Sequence, residues 1–163
     1  MDDDIQLTAY HEAGHAVMAW YLGGVVERLT ISPDTDDGPS RFGDTRVVWR
    51  TSQWSERELA VREIKVSLAG PVVEMVYSGD QYEPQFLAEW QHDWAMAVER
   101  ASTFLPTGNA KVTYLQTMIA ELIKFIERDD TWAAVAALAD ELEAHESLGA
   151  EEVSEILRAW PIG

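Results

Sequence analysis

Apolar residues recur with the period of an α-helix over most of the chain. The first such segment, residues 4–22, is apolar on almost every side, which is typical of a helix buried in a core. Acidic residues at its start and the pair Gly23-Gly24 after its end favour these bounds. The pattern therefore predicts a buried N-terminal helix.

Two short β-rich runs follow this helix. Residues 25–31 are typical of a strand that Ser32-Pro33 ends, and residues 45–50 form a second run after a polar loop at 34–43. Together they predict a small hairpin or mixed sheet near the N-terminus.

From Ser55 onward the pattern predicts helices. The helix at 55–78 starts with a capping box, in which Glu58 follows Ser55, and we expect a kink at Pro71. The other predicted helices span 84–105, 109–128, 131–146 and 150–160. The predicted fold class is mainly α (α+β), a single helical domain over residues 1–163 with a small β hairpin or sheet near its N-terminus.

The composition of the chain excludes several kinds of partner and of functional site. The chain has 163 residues and a net charge of −17, from 12 basic and 29 acidic residues. Such a charge repels phosphate backbones, so nucleic acid is not expected as a partner. The absence of cysteine excludes disulfides, thiolate metal ligands and cysteine nucleophiles. A transition metal would be held by imidazole and carboxylate groups, a ligand set that suits zinc and also admits iron or manganese.

The start of the chain bears on its location. Met1-Asp2-Asp3-Asp4 is acidic where a secretory signal would be basic. The longest apolar stretch, residues 16–26, has about half the length that a membrane span needs. We therefore expect no membrane span and a cytoplasmic location.

The segment His11-Glu12-Ala13-Gly14-His15 matches the HExxH pattern. Its two histidines share one helical face, so both imidazoles can bind a single Zn²⁺ ion. Glu12 is then placed to take a proton from a zinc-bound water, whose pKa zinc lowers from near 16 to about 7. Two unpaired histidines in a core would be costly to desolvate, whereas a metal satisfies both. The alternative is a pair of core histidines that are satisfied by hydrogen bonds. Gly14 costs about 1 kcal/mol relative to alanine in a helix, which indicates that another backbone comes close.

A catalytic zinc needs a third protein ligand and an open position for water. The candidates are Glu74, Glu89, His92, Asp93 and His145. In the helix predicted at 84–105, Asp93 falls on the apolar stripe formed by Phe86, Trp90, Ala97, Ala101 and Phe104. A carboxylate on a buried face needs a partner, so Asp93 is the preferred ligand. His92 is rotated off the stripe and His145 lies among acidic residues, so both are expected at the surface.

Glu74 is the alternative third ligand. Its helical neighbours form a seam of small residues that lets another helix approach, namely Ser67, Gly70, Pro71 and Ser78. There Glu74 can accept a hydrogen bond from the outer nitrogen of His11 or His15, which is the usual role of a carboxylate behind a metal-bound histidine.

Several segments, in order, resemble the peptidase domain of FtsH-type membrane AAA+ zinc proteases. TAYHEAGHAV at 8–17 resembles that family's extended motif, and RLTISP at 28–33 is similar to the strand and proline that follow it. LAGPVVE at 68–74 resembles its small-residue helix, and LGAEE at 148–152 resembles the lead-in to its C-terminal helix. Asp93 sits where the family has its aspartate zinc ligand. The resemblance implies a mainly helical peptidase fold, zinc, and hydrolysis of polypeptides.

The chain also departs from the family. It contains no GxxxxGK[ST] phosphate loop, so we expect a stand-alone domain without an ATPase module. Pro71 stands where the family commonly has a charged residue, and His92 where it has a small polar one. Two kinds of partner remain open, a second copy of the chain in a homo-oligomer and a separate ATPase.

Two functions follow from these patterns. The first is a zinc-dependent endopeptidase, in which an extended polypeptide substrate adds to a strand edge at 42–49. The second is a catalytically weak or inactive peptidase-like module that docks on a separate partner through exposed aromatic residues such as Trp49, Trp54 and Trp160. The intact set of His11, Glu12, His15 and Asp93 favours activity, because a scaffold has no need of a base.

Overall fold

The computed structural model describes residues 2–32, 44–80, 87 and 90–163. Within them the fold is mainly helical with a small antiparallel sheet, which confirms the predicted class. The elements are α1 (Asp2–Tyr21), β1 (Val25–Thr30), β2 (Asp44–Val48), α2 (Glu56–Ser78), α3 (Gln91–Ala101), α4 (Gly108–Ile126), α5 (Asp129–His145), β3 (Ser147–Gly149) and α6 (Ala150–Ala159). A short 3₁₀ helix, Thr51–Gln53, precedes α2.

Helix α1 is the buried centre of the fold, as its all-round apolar sequence predicts. Its fully buried residues are Ala9, Ala13, Ala16, Val17 and Ala19. The helix ends at Tyr21 and is followed by Gly23, whose φ of 93° is the left-handed conformation that glycine adopts without strain. The N–H of Gly24 then donates to the carbonyl of Ala19, and this closes a Schellman motif.

The sheet has the strand order β2-β1-β3 and is antiparallel throughout. The hairpin of β1 and β2 agrees with the two predicted β-rich runs, whereas the loop predicted at 34–43 lies outside the described residues. The strand β3 is absent from the sequence prediction. It has only three residues, and it forms because Leu148 pairs with Leu29 of β1, far away in the chain.

Helix α2 begins with the predicted capping box. Ser55 accepts a hydrogen bond from the N–H of Glu58, and the Glu58 carboxylate accepts one from the N–H of Ser55. The helix continues through Pro71 to Ser78. A Cβ atom at Gly14 of α1 would lie 2.9 Å from the carbonyl oxygen of Ala69, so the predicted close approach of a second backbone at Gly14 is confirmed.

Helix α3 is shorter than the predicted helix at 84–105. Residues 84–86 and 88–89 lie outside the described residues, and the helix ends at Ala101 instead of Leu105. The hydroxyl of Ser102 donates to the carbonyl of Val98, and that of Thr103 donates to the carbonyl of Arg100. Such side-chain bonds compete with the helical backbone bonds and favour a turn.

The other helices occur where the pattern predicts them, with one corrected boundary. Asp129 and Asp130, which lie between the helices predicted at 109–128 and 131–146, form the first turn of α5. Acidic side chains are favoured there because the helix dipole is positive at its N-terminus. Among the described residues, no helix combines the length and the apolar character needed to cross a membrane.

Candidate metal centre

His11 and His15 lie side by side on α1, one helical turn apart. Their Nε2 atoms are 3.0 Å from each other. Both side chains are buried, and His11 is only 1% exposed. The two imidazoles therefore present neighbouring nitrogens to one point inside the fold, as the HExxH spacing predicts.

Asp93 reaches the same point from the first turn of α3. Its Oδ2 lies 2.9 Å from Nε2 of His11 and 3.4 Å from Nε2 of His15. The side chain of Asp93 is 14% exposed, so the cluster is accessible at its edge. The structure thus brings together the three residues that the sequence selects as metal ligands.

The outer nitrogen of each imidazole donates a hydrogen bond. Nδ1 of His11 donates to Oε2 of Glu74 over 2.6 Å. Nδ1 of His15 donates to the backbone carbonyl of Val66, also over 2.6 Å. The indole N–H of Trp90 donates to the same oxygen of Glu74 and helps to hold that carboxylate in place. Both rings are thereby fixed in orientation from the side of α2.

These outer bonds determine the tautomers. A carbonyl oxygen only accepts hydrogen bonds, so the proton of a neutral His15 is on Nδ1. The same holds for His11, whose Nδ1 faces a carboxylate. Each Nε2 then carries a lone pair, and both lone pairs point toward each other and toward Oδ2 of Asp93. When both rings are neutral, three acceptors converge here, and a proton or a metal ion between them satisfies them.

The donor set fits zinc. Ligand atoms that bind tetrahedral zinc at about 2.0–2.1 Å are about 3.3 Å from each other. The three atoms of this cluster are separated by 2.9, 3.0 and 3.4 Å. Two imidazole nitrogens and one carboxylate oxygen also form a set that catalytic zinc sites use.

Gly70 of α2 leaves the space that the cluster occupies. A Cβ atom at this position would lie 2.5 Å from Nε2 of His15 and 2.7 Å from Nε2 of His11. Both distances are shorter than any van der Waals contact, so a side chain here would displace the rings. The small-residue seam of α2 therefore packs directly against the two imidazoles.

The side chains of His11, His15 and Asp93 shift one another's pKa values. Burial by itself lowers the pKa of His11, but hydrogen bonds with Asp93 and Glu74 outweigh it and raise the pKa to about 9. Burial also acts to lower the pKa of His15, whereas the Asp93 carboxylate raises it above its usual value. Burial favours a raised pKa for Asp93, but the charge of His15 and the hydrogen bonds from both histidines hold the pKa of that carboxyl well below its usual range. The cluster therefore attracts positive charge.

Glu12 lies next to the two histidines. One ligand atom each of His11, Glu12 and His15 lie within 4.8 Å of one another. Oδ2 of Asp93 lies 2.9 Å and 3.4 Å from the two Nε2 atoms, so His11, His15 and Asp93 can form a three-ligand set without Glu12. Glu12 is 3% exposed, and its Oε2 accepts a hydrogen bond from the hydroxyl of Thr45 over 2.6 Å. A carboxylate in this place can accept a proton from a water at the metal position.

The remaining ligand candidates lie elsewhere. His92 is exposed, as predicted from its position off the apolar stripe. His145 is also exposed, and its Nε2 pairs with Glu141 at 3.3 Å. Glu89 lies outside the described residues.

The sequence does not reveal three contacts of the site, those made by Thr45, the Val66 carbonyl and Trp90. Thr45 lies on a different element from the motif, and a backbone carbonyl leaves no signal in a sequence. Trp90 does carry a signal, because it belongs to the same helical stripe as Asp93, three residues before it.

A comparison with models of known protein families finds no match, and a search of curated proteins finds no significantly similar sequence.

Proposed function

We propose that this protein is a zinc-dependent endopeptidase that hydrolyses polypeptides. His11, His15 and Asp93 hold the metal, and Glu12 is the general base. The observation that carries the proposal is the convergence of Nε2 of His11, Nε2 of His15 and Oδ2 of Asp93 at spacings that suit zinc, with the Glu12 carboxylate beside them.

Zinc bound at this position supplies a Lewis acid that polarises a carbonyl and lowers the pKa of water to about 7. The chain provides the proton transfer. The Glu12 carboxylate accepts a proton from the attacking water and delivers one to the nitrogen of the leaving amine. Glu74 keeps the His11 ring in the orientation that presents Nε2.

The free edge of β2 supports an extended polypeptide as substrate. Among the described residues β2 pairs only with β1, which leaves its other edge open. Thr45 of β2 contacts Glu12, so this edge runs close to the proposed base. A peptide that adds to β2 as a further strand would be held by backbone hydrogen bonds, largely independent of its sequence.

Membership in the FtsH-type peptidase family is part of this proposal. The order of the motif, the small-residue helix and Asp93 supports it, and so does the mainly helical class of the fold. The partner of the protein is also a matter of proposal. It is either a separate ATPase or a second copy of the same chain in a homo-oligomer.

The second candidate function is a docking module with little turnover. It is favoured by Trp160, which is 48% exposed beside the end of α6. Large aromatic side chains are frequent anchors of protein interfaces. The buried position of Glu12 favours the enzyme, because a docking module gains nothing from a carboxylate enclosed next to a group of metal-ligating side chains.

The variant Glu12→Gln distinguishes these functions. We expect wild-type protein with zinc to cleave casein or an unfolded peptide, and a chelator to stop cleavage. Glu12→Gln keeps the shape of the side chain but cannot accept the proton, so it should bind zinc as wild type does and lose cleavage by at least a hundredfold. The exposed Glu141→Gln is the matched control and should retain full activity. Cleavage by Glu12→Gln at the wild-type rate would exclude Glu12 as the base.

A further inference from the structure

Thr45 makes the hydrogen bond that orients the proposed base. Its Oγ1 is 2.6 Å from Oε2 of Glu12 and 3.3 Å from the Glu12 backbone carbonyl. A hydroxyl group has a single proton, and the shorter contact takes it. A distance of 2.6 Å is typical of a strong hydrogen bond to an ionised carboxylate.

Glu12 depends on this bond. Within the part of the chain that the structure describes, Thr45 is the residue that donates to its carboxylate, and no ion pair involves it. A carboxylate that is 3% exposed loses most of its hydration, so a missing donor costs free energy. The bond engages Oε2 and leaves Oε1 without a donor among these residues.

The sheet in turn fixes Thr45. Thr45 pairs with Leu29 of β1, which is fully buried. The side chains of β2 alternate in exposure, and Thr45 is on the half-buried side, which faces α1, while Asp44 and Arg46 are exposed. Threonine is β-branched, so its hydroxyl has few rotamers in a strand. The hydroxyl is therefore presented to Glu12 by rigid backbone.

We propose that Thr45 is a positioning residue for the base. By binding Oε2 it directs Oε1 toward the attacking water, whose proton moves to Oε1 and then to the leaving nitrogen. Thr45 is on β2, which is an edge strand of the sheet formed by the described residues. The strand that is suited to an extended substrate would therefore also orient the base. This inference rests on the proposed role of Glu12.

The substitution Thr45→Val removes the hydroxyl and keeps the shape of the side chain. A misplaced catalytic group costs up to about a hundredfold in rate, so we expect kcat to fall on the order of 10- to 100-fold. KM and zinc content should remain those of wild type, because the substrate would bind to the backbone of β2, and the Thr45 hydroxyl contacts neither substrate nor metal in this scheme. Thr45→Ser restores the hydroxyl and should recover most of kcat.

The control is Thr30→Val in the neighbouring strand. Thr30 is also a strand threonine with a hydrogen-bonded hydroxyl, but its partners are Ser147 and Glu146, so its loss should leave kcat unchanged. A kcat of Thr45→Val equal to wild type would overturn the positioning role and leave the peptidase proposal intact. The role would also be overturned by a low kcat in Thr45→Ser, by loss of zinc from Thr45→Val, or by a change in KM alone. A wild-type protein that binds zinc but cleaves nothing would overturn both proposals.

Discussion

Single residues on α2 determine how the two imidazoles of α1 are held. Glu74 receives the outer N–H of His11, and the carbonyl of Val66 receives that of His15. Gly70 lies directly beneath the inner nitrogens. The proposed ligands are on α1 and α3, but the orientation of the two imidazoles is set largely by α2, which lies between those helices in sequence.

The residue Glu74 should affect metal affinity without being a ligand. In Glu74→Gln the side chain keeps its size and loses its charge, so it supports the His11 ring less strongly. Changes of this kind behind a metal-bound histidine typically weaken affinity by about 10- to 100-fold. Competition with a fluorescent zinc chelator measures the effect, with Glu141→Gln as the surface control. An affinity equal to wild type would show that Glu74 does not support the ligand.

The residue Gly70 should not tolerate even a methyl group. In Gly70→Ala the new Cβ would lie 2.5 Å from Nε2 of His15, so the ring or the helix must move. We expect zinc binding to be lost and the free energy of unfolding to fall by about 1–3 kcal/mol. Gly108→Ala is the matched control, because no atom lies within 4 Å of a Cβ at that position. Normal zinc binding by Gly70→Ala would contradict the described packing.

At the scale of elements, local signals in the sequence predict more than long-range ones do. The capping box at Ser55 and the glycine pair after α1 mark helix ends through neighbouring residues alone. The strand β3 has no such signal, because its three residues become a strand only by pairing with β1. In the site, spacing within one helix predicts His11 and His15, and a helical stripe predicts the inward side of Asp93. The hydroxyl of Thr45 reaches Glu12 from a different element, so nothing local predicts it.

The N-terminal cap of α2 should contribute to stability but not to metal binding. Ser55→Ala removes the side chain that accepts from the N–H of Glu58, and the loss of such a cap costs about 0.5–2 kcal/mol. Zinc affinity should be unchanged, because Gly70 and Glu74 lie several turns away. Urea unfolding and a chelator competition on the same variant measure both quantities, with exposed Ser52→Ala as control. A large loss of zinc affinity in Ser55→Ala would show that the cap and the site are coupled.

At the scale of the whole molecule, the metal would link two helices that are remote in sequence. His11 and His15 belong to α1 and Asp93 to α3, so an ion bound by all three holds both helices in place. A ligand that binds only the folded state stabilises it by about 2.7 kcal/mol at a hundred times its Kd. Metal binding should therefore raise the free energy of unfolding of the whole domain.

Zinc should raise the melting temperature, and chelation should reverse the change. For a chain of this size the gain at a hundred times Kd corresponds to about 5–10 °C in Tm. Asp93→Asn weakens the ligand that comes from α3, so its Tm should respond much less to zinc. Thermal unfolding followed by circular dichroism gives these values. An equal rise in Asp93→Asn and wild type would show that zinc acts elsewhere on this acidic chain.

The most direct test of the metal centre is the zinc content of purified wild-type protein beside His11→Ala, Asp93→Ala and His145→Ala, each loaded with zinc and freed of excess. We predict about one zinc ion per chain for wild type and for the surface variant His145→Ala, and almost none for the other two. A wild type that retains no zinc, or an Asp93→Ala variant that retains as much as wild type, would contradict the proposed ligand set.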